Sequence, residues 1–212
     1  MSGENYKSII QSYLDRAFAR GIDLLRISIP AHLEDDKLEF KAFGANCFIK
    51  KDGVFIDGYS EEGPKGVLVS IYALYAPQNE IATVTSWQAF RDLPNSMPYW
   101  GAFRSNAEEP LIPFVEKVFS LRREICDWLG GYFTSDTPGD FAFVVFPFPK
   151  IPLLYIFYLP DEEFPAEAKC LFAAQDPFMP VDALADVAEH TSRLMIEFVE
   201  KNYDSKKKIG MI

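Results

Sequence analysis

The chain has 212 residues, a hydrophobic fraction of 49% and a formal net charge of −10 at pH 7. This apolar content is too high for a disordered chain, and a chain of this length can bury a sizeable core. The acidic balance disfavours binding of the whole surface to phosphates, so we expect no nucleic-acid partner.

The first half of the chain predicts two helices with a hairpin region between them. Apolar residues recur every three or four positions over 5–21, which is typical of an amphipathic helix ending at Gly21. In residues 38–58, apolar residues alternate with polar ones, and the turn sequence KKDG precedes a second apolar run. This pattern predicts strands and a hairpin. Residues 63–77 begin with Gly-Pro and are apolar almost throughout, which predicts a buried helix.

The second half begins with an aromatic segment, 85–103, whose prolines and glycine exclude a long helix. A helix is predicted over 110–129, ended by Gly130 and Gly131. The residues expected on its buried face are Phe114, Val115, Val118, Phe119, Leu121, Ile125 and Leu129. The final amphipathic helix is predicted over 181–203.

The most apolar stretch is FAFVVFPFPKIPLLYIFYLPDEEFP, residues 141–165. Its length would suit a membrane helix, but several prolines and Lys150 would break a span where no water satisfies the freed carbonyls, so we expect no membrane partner. Two strands joined around FPKIP fit the composition better. Because both strands are apolar on two faces, we predict a single α+β domain over 1–212, with a mostly antiparallel sheet and a central hairpin at about 140–159 covered by several helices.

The cysteine pattern favours reduced thiols. Cys47, Cys126 and Cys170 are far apart and form no CxxC pair, so the sequence encodes no local zinc or iron–sulfur site. We expect Cys126 and Cys170 to be packing residues. The polar N-terminus has no apolar signal-peptide core, which favours a cytoplasmic protein.

Familiar catalytic motifs are absent from the sequence. It contains no HExxH, GxSxG, GxGxxG or P-loop pattern, so the cofactor, if any, stays unknown. His32 stands in a loop, and His190 is assigned to the polar side of the last helix. Neither histidine is near a matching metal or nucleophile motif.

The first candidate site is the acidic run Asp161, Glu162 and Glu163 at the end of the second apolar strand. Such carboxylates can hold a divalent cation or supply a general acid with a raised pKa. Because neighbours on a strand point to opposite faces, at most Asp161 and Glu163 would converge. The alternative is that these acids solvate the strand end and precede a short helical turn at 165–169.

The second candidate site is the segment WQAFRDLP, which places Arg91 beside Trp87. A guanidinium next to aromatic rings suits a carboxylate or phosphate ligand. The alternative is an internal salt bridge from Arg91 to one of the acids. The predicted ligand-binding residues are Trp87, Arg91, Tyr99, Arg104, Asp140, Asp161 and Glu163.

Several strings resemble a prokaryotic family, domain of unknown function 3786. They are WQAFRDLP, YWGAF, LGG, GDFAFVVFP and DEEFPAEAKCLF, within roughly residues 60–200. The family occurs largely in anaerobic bacteria and archaea, and some relatives carry an added cysteine-rich iron–sulfur segment that this chain lacks. The resemblance implies no activity and no role for any residue, but it hints at anaerobic redox or one-carbon metabolism.

Three hypotheses for the function follow. The first is the binding of a small anionic ligand or a partner in a groove lined by aromatic and arginine side chains. The second is an enzyme that uses Asp161 and Glu163 with a divalent metal or as a general acid and base. The third is an accessory protein that docks onto an anaerobic redox enzyme through its acidic surface. The oligomeric state is not predicted.

Overall fold

The computed structural model describes residues 3–79, 84, 86–174 and 177–209, with side chains over 5–204 of these. Its α-helices in this part of the chain are α1 (Gly3–Phe18), α2 (Ile22–Ser28), α3 (Pro64–Tyr75), α4 (Trp100–Phe103), α5 (Val115–Trp128) and α6 (Val181–Ile209). Its strands are β1 (His32–Glu34), β2 (Lys37–Ala42), β3 (Ala45–Lys50), β4 (Gly53–Ile56), β5 (Tyr59–Ser60), β6 (Trp87–Ala89), β7 (Tyr132–Phe133), β8 (Phe141–Phe148), β9 (Ile151–Tyr158) and β10 (Glu167–Ala173).

The strands form two antiparallel sheets, which confirms the predicted α+β class. Sheet A is a meander in the order β1-β2-β3-β4-β5, and sheet B has the order β6-β10-β9-β8-β7. The KKDG turn joins β3 to β4, where Lys50 pairs with Gly53. A large hydrophobic cluster contains residues from α1, both sheets and α6. None of the helices described is long and apolar enough to cross a membrane.

The predicted central hairpin is confirmed as β8 and β9. The two strands pair from Phe141 with Phe157 to Phe148 with Ile151, so Lys150 lies in the tight turn between them. Strand β9 occupies the centre of sheet B and is buried along almost its whole length. Alternate residues supply the large core on one face and a second, smaller cluster on the other. The continuous apolar sequence therefore reflects burial of both faces of a strand.

Phe43 connects the two sheets. It and Gly44 form the two-residue turn between β2 and β3, with φ of 53° and 75°. A bulky residue at positive φ is strained, and such a conformation persists only where the surroundings hold it. The N–H of Phe43 donates to the carbonyl of Pro147 at 2.7 Å, and its ring lies 4.8 Å from Phe148. The turn of sheet A is thereby bonded to the central hairpin of sheet B.

Helices α1 and α6 end at residues other than the predicted ones. Helix α1 ends at Phe18, and a separate short helix, α2, follows Gly21, whose φ is +93°. Helix α6 continues to Ile209 instead of ending at 203. Both differences concern helix ends, which local periodicity locates poorly.

The predicted helix over 110–129 is α-helical only from Val115. A π-helical turn (Arg104–Glu108) and a 3₁₀ segment (Glu109–Phe114) precede it. Pro110 and Pro113 lack N–H donors, so the segment that contains them cannot form regular α-helical bonds. The expectation that Phe119 is buried was wrong: it is 36% exposed, and the guanidinium of Arg122 covers its ring.

The predicted helical turn at 165–169 was also wrong. Residues Glu167–Ala173 form β10, which pairs with β9 on one side and β6 on the other. Every second residue of this strand is buried: Ala168, Cys170 and Phe172. This period of two and the pairing with two neighbouring strands outweigh the local preference of the PAEAK sequence for a helical turn.

Candidate functional site

The two arginines of the predicted site lie at the surface. The side chain of Arg91 is 62% exposed, and its Nε is 3.8 Å from Oδ1 of the adjacent Asp92. Arg104 is 61% exposed and pairs with Glu109 at 3.1 Å. Arg91 therefore does not form the internal salt bridge that was considered as the alternative. It pairs at the surface with Asp92, its neighbour in sequence.

The predicted acids lie at one end of sheet B, where Asp140 and Asp161 stabilise the backbone at the strand ends. A carboxylate oxygen of Asp140 accepts the N–H of Leu159 at 2.7 Å. Asp161 Oδ1 accepts the N–H groups of Glu163 at 2.8 Å and Phe164 at 2.7 Å. Asp140, Asp161 and Glu163 are all exposed. Within the described part of the chain, no group of three or more His, Cys, Asp or Glu side chains could hold a metal ion.

The predicted aromatic residues lie elsewhere. Trp87 pairs with Ala173 at the far end of β10 from the acidic turn. Ala173 is six positions along the strand from Glu167, a distance of about 20 Å. Tyr99 is 42% exposed in the 3₁₀ turn Met97–Tyr99. The structure thus groups the acids but separates them from Trp87, and the cavities described below are lined by none of the seven predicted residues.

A cavity of about 360 Å³ lies between α1, α3 and α6, and we call it the helical groove. This volume is at the lower end of the roughly 300–1,000 Å³ typical of small-molecule sites. The residues that line it are Tyr6, Ile9, Pro64, Lys65, Val67, Leu68, Ile71, Asp186, Glu189, His190 and Arg193. A larger, shallow depression of about 580 Å³ on sheet A has few apolar residues among its lining side chains.

One wall of the helical groove is apolar. It is formed by Ile9 of α1 and by Val67, Leu68 and Ile71 of α3. Leu68 is 5% exposed and Ile71 is 8% exposed, so both also belong to the core. Positions 67, 68 and 71 follow the i, i+1, i+4 spacing that places them on one face of α3. This wall can bury the apolar part of a ligand.

The opposite wall carries the charged side chains of α6. Asp186, Glu189 and Arg193 are spaced by three and four residues, so they share one face of that helix. Glu189 and Arg193 form an ion pair at 2.6 Å. No ion pair is formed by Asp186 with any described residue, and partial desolvation together with Glu189 and Asp182 raises the pKa of its carboxyl.

Lys65 faces this wall from the first turn of α3. Among the described residues it has no ion-pair partner and no side-chain hydrogen bond. Helix α3 has Gly63 at its N-cap, no side-chain cap and no acid in its first turn, and the Glu61 carboxylate before it accepts the N–H of Gly63 at 2.8 Å. The positive end of the α3 dipole therefore adds to the charge of Lys65. These two positive contributions lie in a groove that also contains the carboxylates of Asp186 and Glu189.

His190 contributes a neutral ring between the charged groups. Its ring is perpendicular to that of Phe43, with centroids 4.7 Å apart, and its Nε2 is buried without a hydrogen-bond partner among the described residues. Contact of an N–H with an aromatic face can satisfy such an atom in part. Burial, followed by the charges of Lys65 and Arg193, lowers the pKa of His190 to about 4, so the ring is neutral at pH 7.

The low pKa of His190 predicts a loss of stability in acid. The ordinary pKa is 6.5, and the folded value is about 4. Between these values the unfolded chain binds a proton that the folded chain does not. The contribution of neutral His190 to stability is therefore fully present above pH 6.5 and is lost as the pH falls towards 4. The partly exposed ring reduces the expected loss to about 1–2 kcal/mol. Thermal unfolding at pH 7 and pH 4.5 should show this loss in the wild type and a smaller one in His190→Gln.

His32→Gln is the matched control, because His32 is exposed on β1 and belongs to neither the groove nor the core. Asp186 also titrates in acid, but its raised pKa has the opposite effect, since the protonated form is favoured in the folded state. Asp186 is present in the wild type, His190→Gln and His32→Gln, so its effect on stability cancels when they are compared. An equal loss of stability at pH 4.5 in the wild type and His190→Gln would contradict the low pKa of His190.

A second cavity of about 150 Å³ adjoins the helical groove. It is lined by Ser105 and Asn106 of the π-helical turn, by Pro110, and by Glu189, Arg193 and Ile196. Glu189 and Arg193 line both cavities. The ion pair between them therefore separates the helical groove from the surface of the π-helical turn, a type of element often found near functional sites.

The cysteines are packing residues, as predicted for Cys126 and Cys170. They are 1% and 0% exposed, and both are free thiols. Burial raises the pKa of Cys126 to about 11 and that of Cys170 well above its ordinary value. Protonated, enclosed thiols are poor nucleophiles and poor metal ligands.

Sequence reasoning missed the helical groove. A partial signal existed in α6, where Asp186, His190 and Arg193 recur at helical spacing beside the apolar face. Nothing near Lys65 in the sequence indicated a site, because its role depends on the packing of the α3 N-terminus against α6. The assignment of His190 to the polar side of the helix overlooked its contact with Phe43.

Comparison with known proteins yields one match. A family model described as a domain of unknown function, DUF3786, matches residues 26–194. No curated protein and no solved structure matches the chain. The matched residues begin in α2 and end in α6, so they include both sheets and every groove residue except Tyr6 and Ile9. The likeness extends further towards the N-terminus than the roughly 60–200 indicated by the motifs.

Proposed function

Since the chain belongs to the DUF3786 family, a domain of unknown function, we propose that it binds a small organic anion with an apolar body in the helical groove. The observation that carries this proposal is the position of Lys65. It is a cation without an ion-pair partner among the described residues, and it lies beside an apolar wall in a cavity of about 360 Å³. A ligand carboxylate at this position would supply the missing partner.

The electrostatics of α3 support an anion at this end of the groove. Backbone N–H groups in the first turn of a helix have no intrahelical acceptor, and the helix dipole favours negative charge there. Helix α3 carries no acid in that turn. Lys65 is half-buried, so its attraction to a bound carboxylate is screened less than that of a fully exposed lysine.

The apolar wall supports a ligand with a hydrocarbon part. Burial of apolar surface contributes about 25 cal/mol per Å², so a branched chain of four or five carbons that covers Val67, Leu68 and Ile71 adds binding free energy that an inorganic anion lacks. The neutral His190 ring at pH 7 adds no further charge to the site. These features favour an organic acid.

The proposal keeps the ligand class predicted from the sequence and changes the residues that bind it. The arginine of the site is Arg193, which is already paired with Glu189, and the free cation is Lys65. Tyr6 supplies the aromatic side chain at the groove, in place of Trp87 or Tyr99.

Isothermal titration calorimetry with 4-methylpentanoate, a branched carboxylate, tests the proposal. We expect millimolar binding to the wild type, which is typical of a ligand with so few atoms. Lys65→Met should weaken it about fivefold or more, since a charge-assisted contact contributes roughly 1–2 kcal/mol. Lys117→Met, at an exposed lysine stacked on Phe114 and Tyr203, should bind like the wild type.

Two results would overturn the proposed function. One is no heat of binding for the wild type at millimolar 4-methylpentanoate. The other is equal affinity in the wild type and Lys65→Met, with the circular dichroism of both showing a folded protein. In the second case the carboxylate would bind elsewhere on the chain.

A further inference from the structure

The helical groove contains a second charge without a partner. Asp186 lies on α6, and Lys65 lies on α3. Asp186 is exposed and forms no ion pair within the described chain; partial desolvation, followed by the nearby acids Glu189 and Asp182, raises the pKa of its carboxyl. An anionic ligand would satisfy Lys65 but would leave this carboxylate without a cation. The site therefore has room for a positive group of the ligand as well.

The other charged pair of the groove does not compete for these groups. Glu189 and Arg193 are 2.6 Å apart and neutralise each other. Among the described lining residues, what remains is one cation, Lys65, and one anion, Asp186, with an apolar wall beside them. His190 is neutral at pH 7 and adds a half-buried ring to the same cavity.

From this arrangement we infer that the ligand is a free α-amino acid with an apolar side chain. Its carboxylate pairs with Lys65, its ammonium pairs with Asp186, and its side chain packs on the wall formed by Ile9, Val67, Leu68 and Ile71. This inference rests on the proposed function and specifies the ligand class of the same site.

The chemistry of the groove disfavours related ligands. A simple amine would satisfy Asp186 and leave Lys65 unpaired, and a simple carboxylic acid would do the reverse. The N-terminus of a peptide carries an ammonium without a neighbouring carboxylate, so it would also leave Lys65 unpaired. A hydrophilic amino acid would leave the apolar wall in contact with polar atoms, which costs free energy.

Titration calorimetry with three probes that share an isobutyl group tests the inference. Leucine carries both charges, 4-methylpentanoate lacks the ammonium, and 3-methylbutylamine lacks the carboxylate. We expect leucine to bind the wild type at least tenfold more tightly than either of the other two. Asp186→Asn should reduce leucine affinity about tenfold and leave 4-methylpentanoate affinity unchanged or higher, because a repelling carboxylate has been removed.

Asp182→Asn is the control, because Asp182 is exposed one turn earlier on α6 and does not line the groove. It should bind leucine like the wild type. The comparison of probes on the wild type needs no variant, so it stands even where Asp186→Asn folds poorly.

The outcomes separate this inference from the proposed function. If 4-methylpentanoate binds and leucine binds no more tightly, the amino-acid inference is overturned and the anion site stands. If leucine binds more tightly but Asp186→Asn has no effect on it, the ammonium is not bound by Asp186 and the inference is also overturned. If 4-methylpentanoate does not bind the wild type, the proposed function fails, and the inference that rests on it fails as well.

Discussion

Replacing Gly131 by alanine is expected to destabilise the fold by about 3 kcal/mol or more, because overpacking against a rigid backbone is costly. A Cβ at this position would lie 2.1 Å from the carbonyl oxygen of Val144 and 3.1 Å from Cys126 Sγ. Val144 belongs to β8, which pairs with β9 on one side and β7 on the other. The Val144 carbonyl cannot move away from the added Cβ without disturbing the central hairpin.

Gly130 provides the matched control in the neighbouring position. Its φ of +66° disfavours alanine, but a Cβ there would meet nothing within 4 Å. We expect Gly130→Ala to cost about 1–2 kcal/mol, the penalty of a left-handed conformation. Urea denaturation of both variants measures the difference. Equal losses would show that the backbone near Val144 relaxes, contrary to the expected clash.

Arg20→Met is the second change with a large expected effect. The guanidinium caps the C-terminal end of α3: Nη1 donates to the carbonyls of Leu74 at 2.8 Å and Ala73 at 3.3 Å. Nη2 donates to the carbonyl of Ala76 at 3.0 Å and to Ser28 Oγ at 2.8 Å. Carbonyls in the last turn of a helix lack intrahelical donors and carry the negative end of the dipole.

Removal of this guanidinium leaves several partly buried acceptors without a donor. Each charge-assisted hydrogen bond contributes more than a neutral one, and the buried acceptors cannot all form hydrogen bonds with water instead. We expect Arg20→Met to lower the free energy of unfolding by about 2–3 kcal/mol. Denaturation with urea, followed by circular dichroism, gives the value.

Arg16→Met, in the last turn of α1 and four residues before Arg20, is the control for loss of a positive charge. Arg16 is exposed and stacks on Tyr13 at 5.9 Å, so its removal should cost less than about 0.5 kcal/mol. A similar small loss for Arg20→Met would contradict the capping role and show that water replaces the guanidinium at these carbonyls.

The central hairpin could be predicted because its signals are local. Prolines and the lysine exclude a membrane helix in that stretch, and aromatic and β-branched residues on both faces indicate two buried strands. Strand β10 was missed because three acids and two prolines precede it, and these suggested a turn. Its pairing with β9 and β6 is a tertiary contact, which no local pattern reports.

The acidic run shows the same limit at the level of a site. Its carboxylates suggested a metal site or an acid catalyst from their sequence spacing alone. In the structure the Asp161 carboxylate accepts the N–H groups of Glu163 and Phe164, and the side chains of all three acids are exposed. Asp161 thus has a structural role in a turn, which the sequence spacing of the acids did not indicate.

By itself the sequence determined the α+β class, the central hairpin, the packing role of two cysteines and the family resemblance, because periodicity, turn residues and composition act over a few neighbouring positions. Only the tertiary structure brings together the residues of the proposed site. Lys65 and Asp186 are distant in the chain, and they face one cavity only because α3 and α6 pack side by side. Burial next to Phe43 and the nearby charges then set the protonation state of His190, which its neighbours in sequence do not reveal.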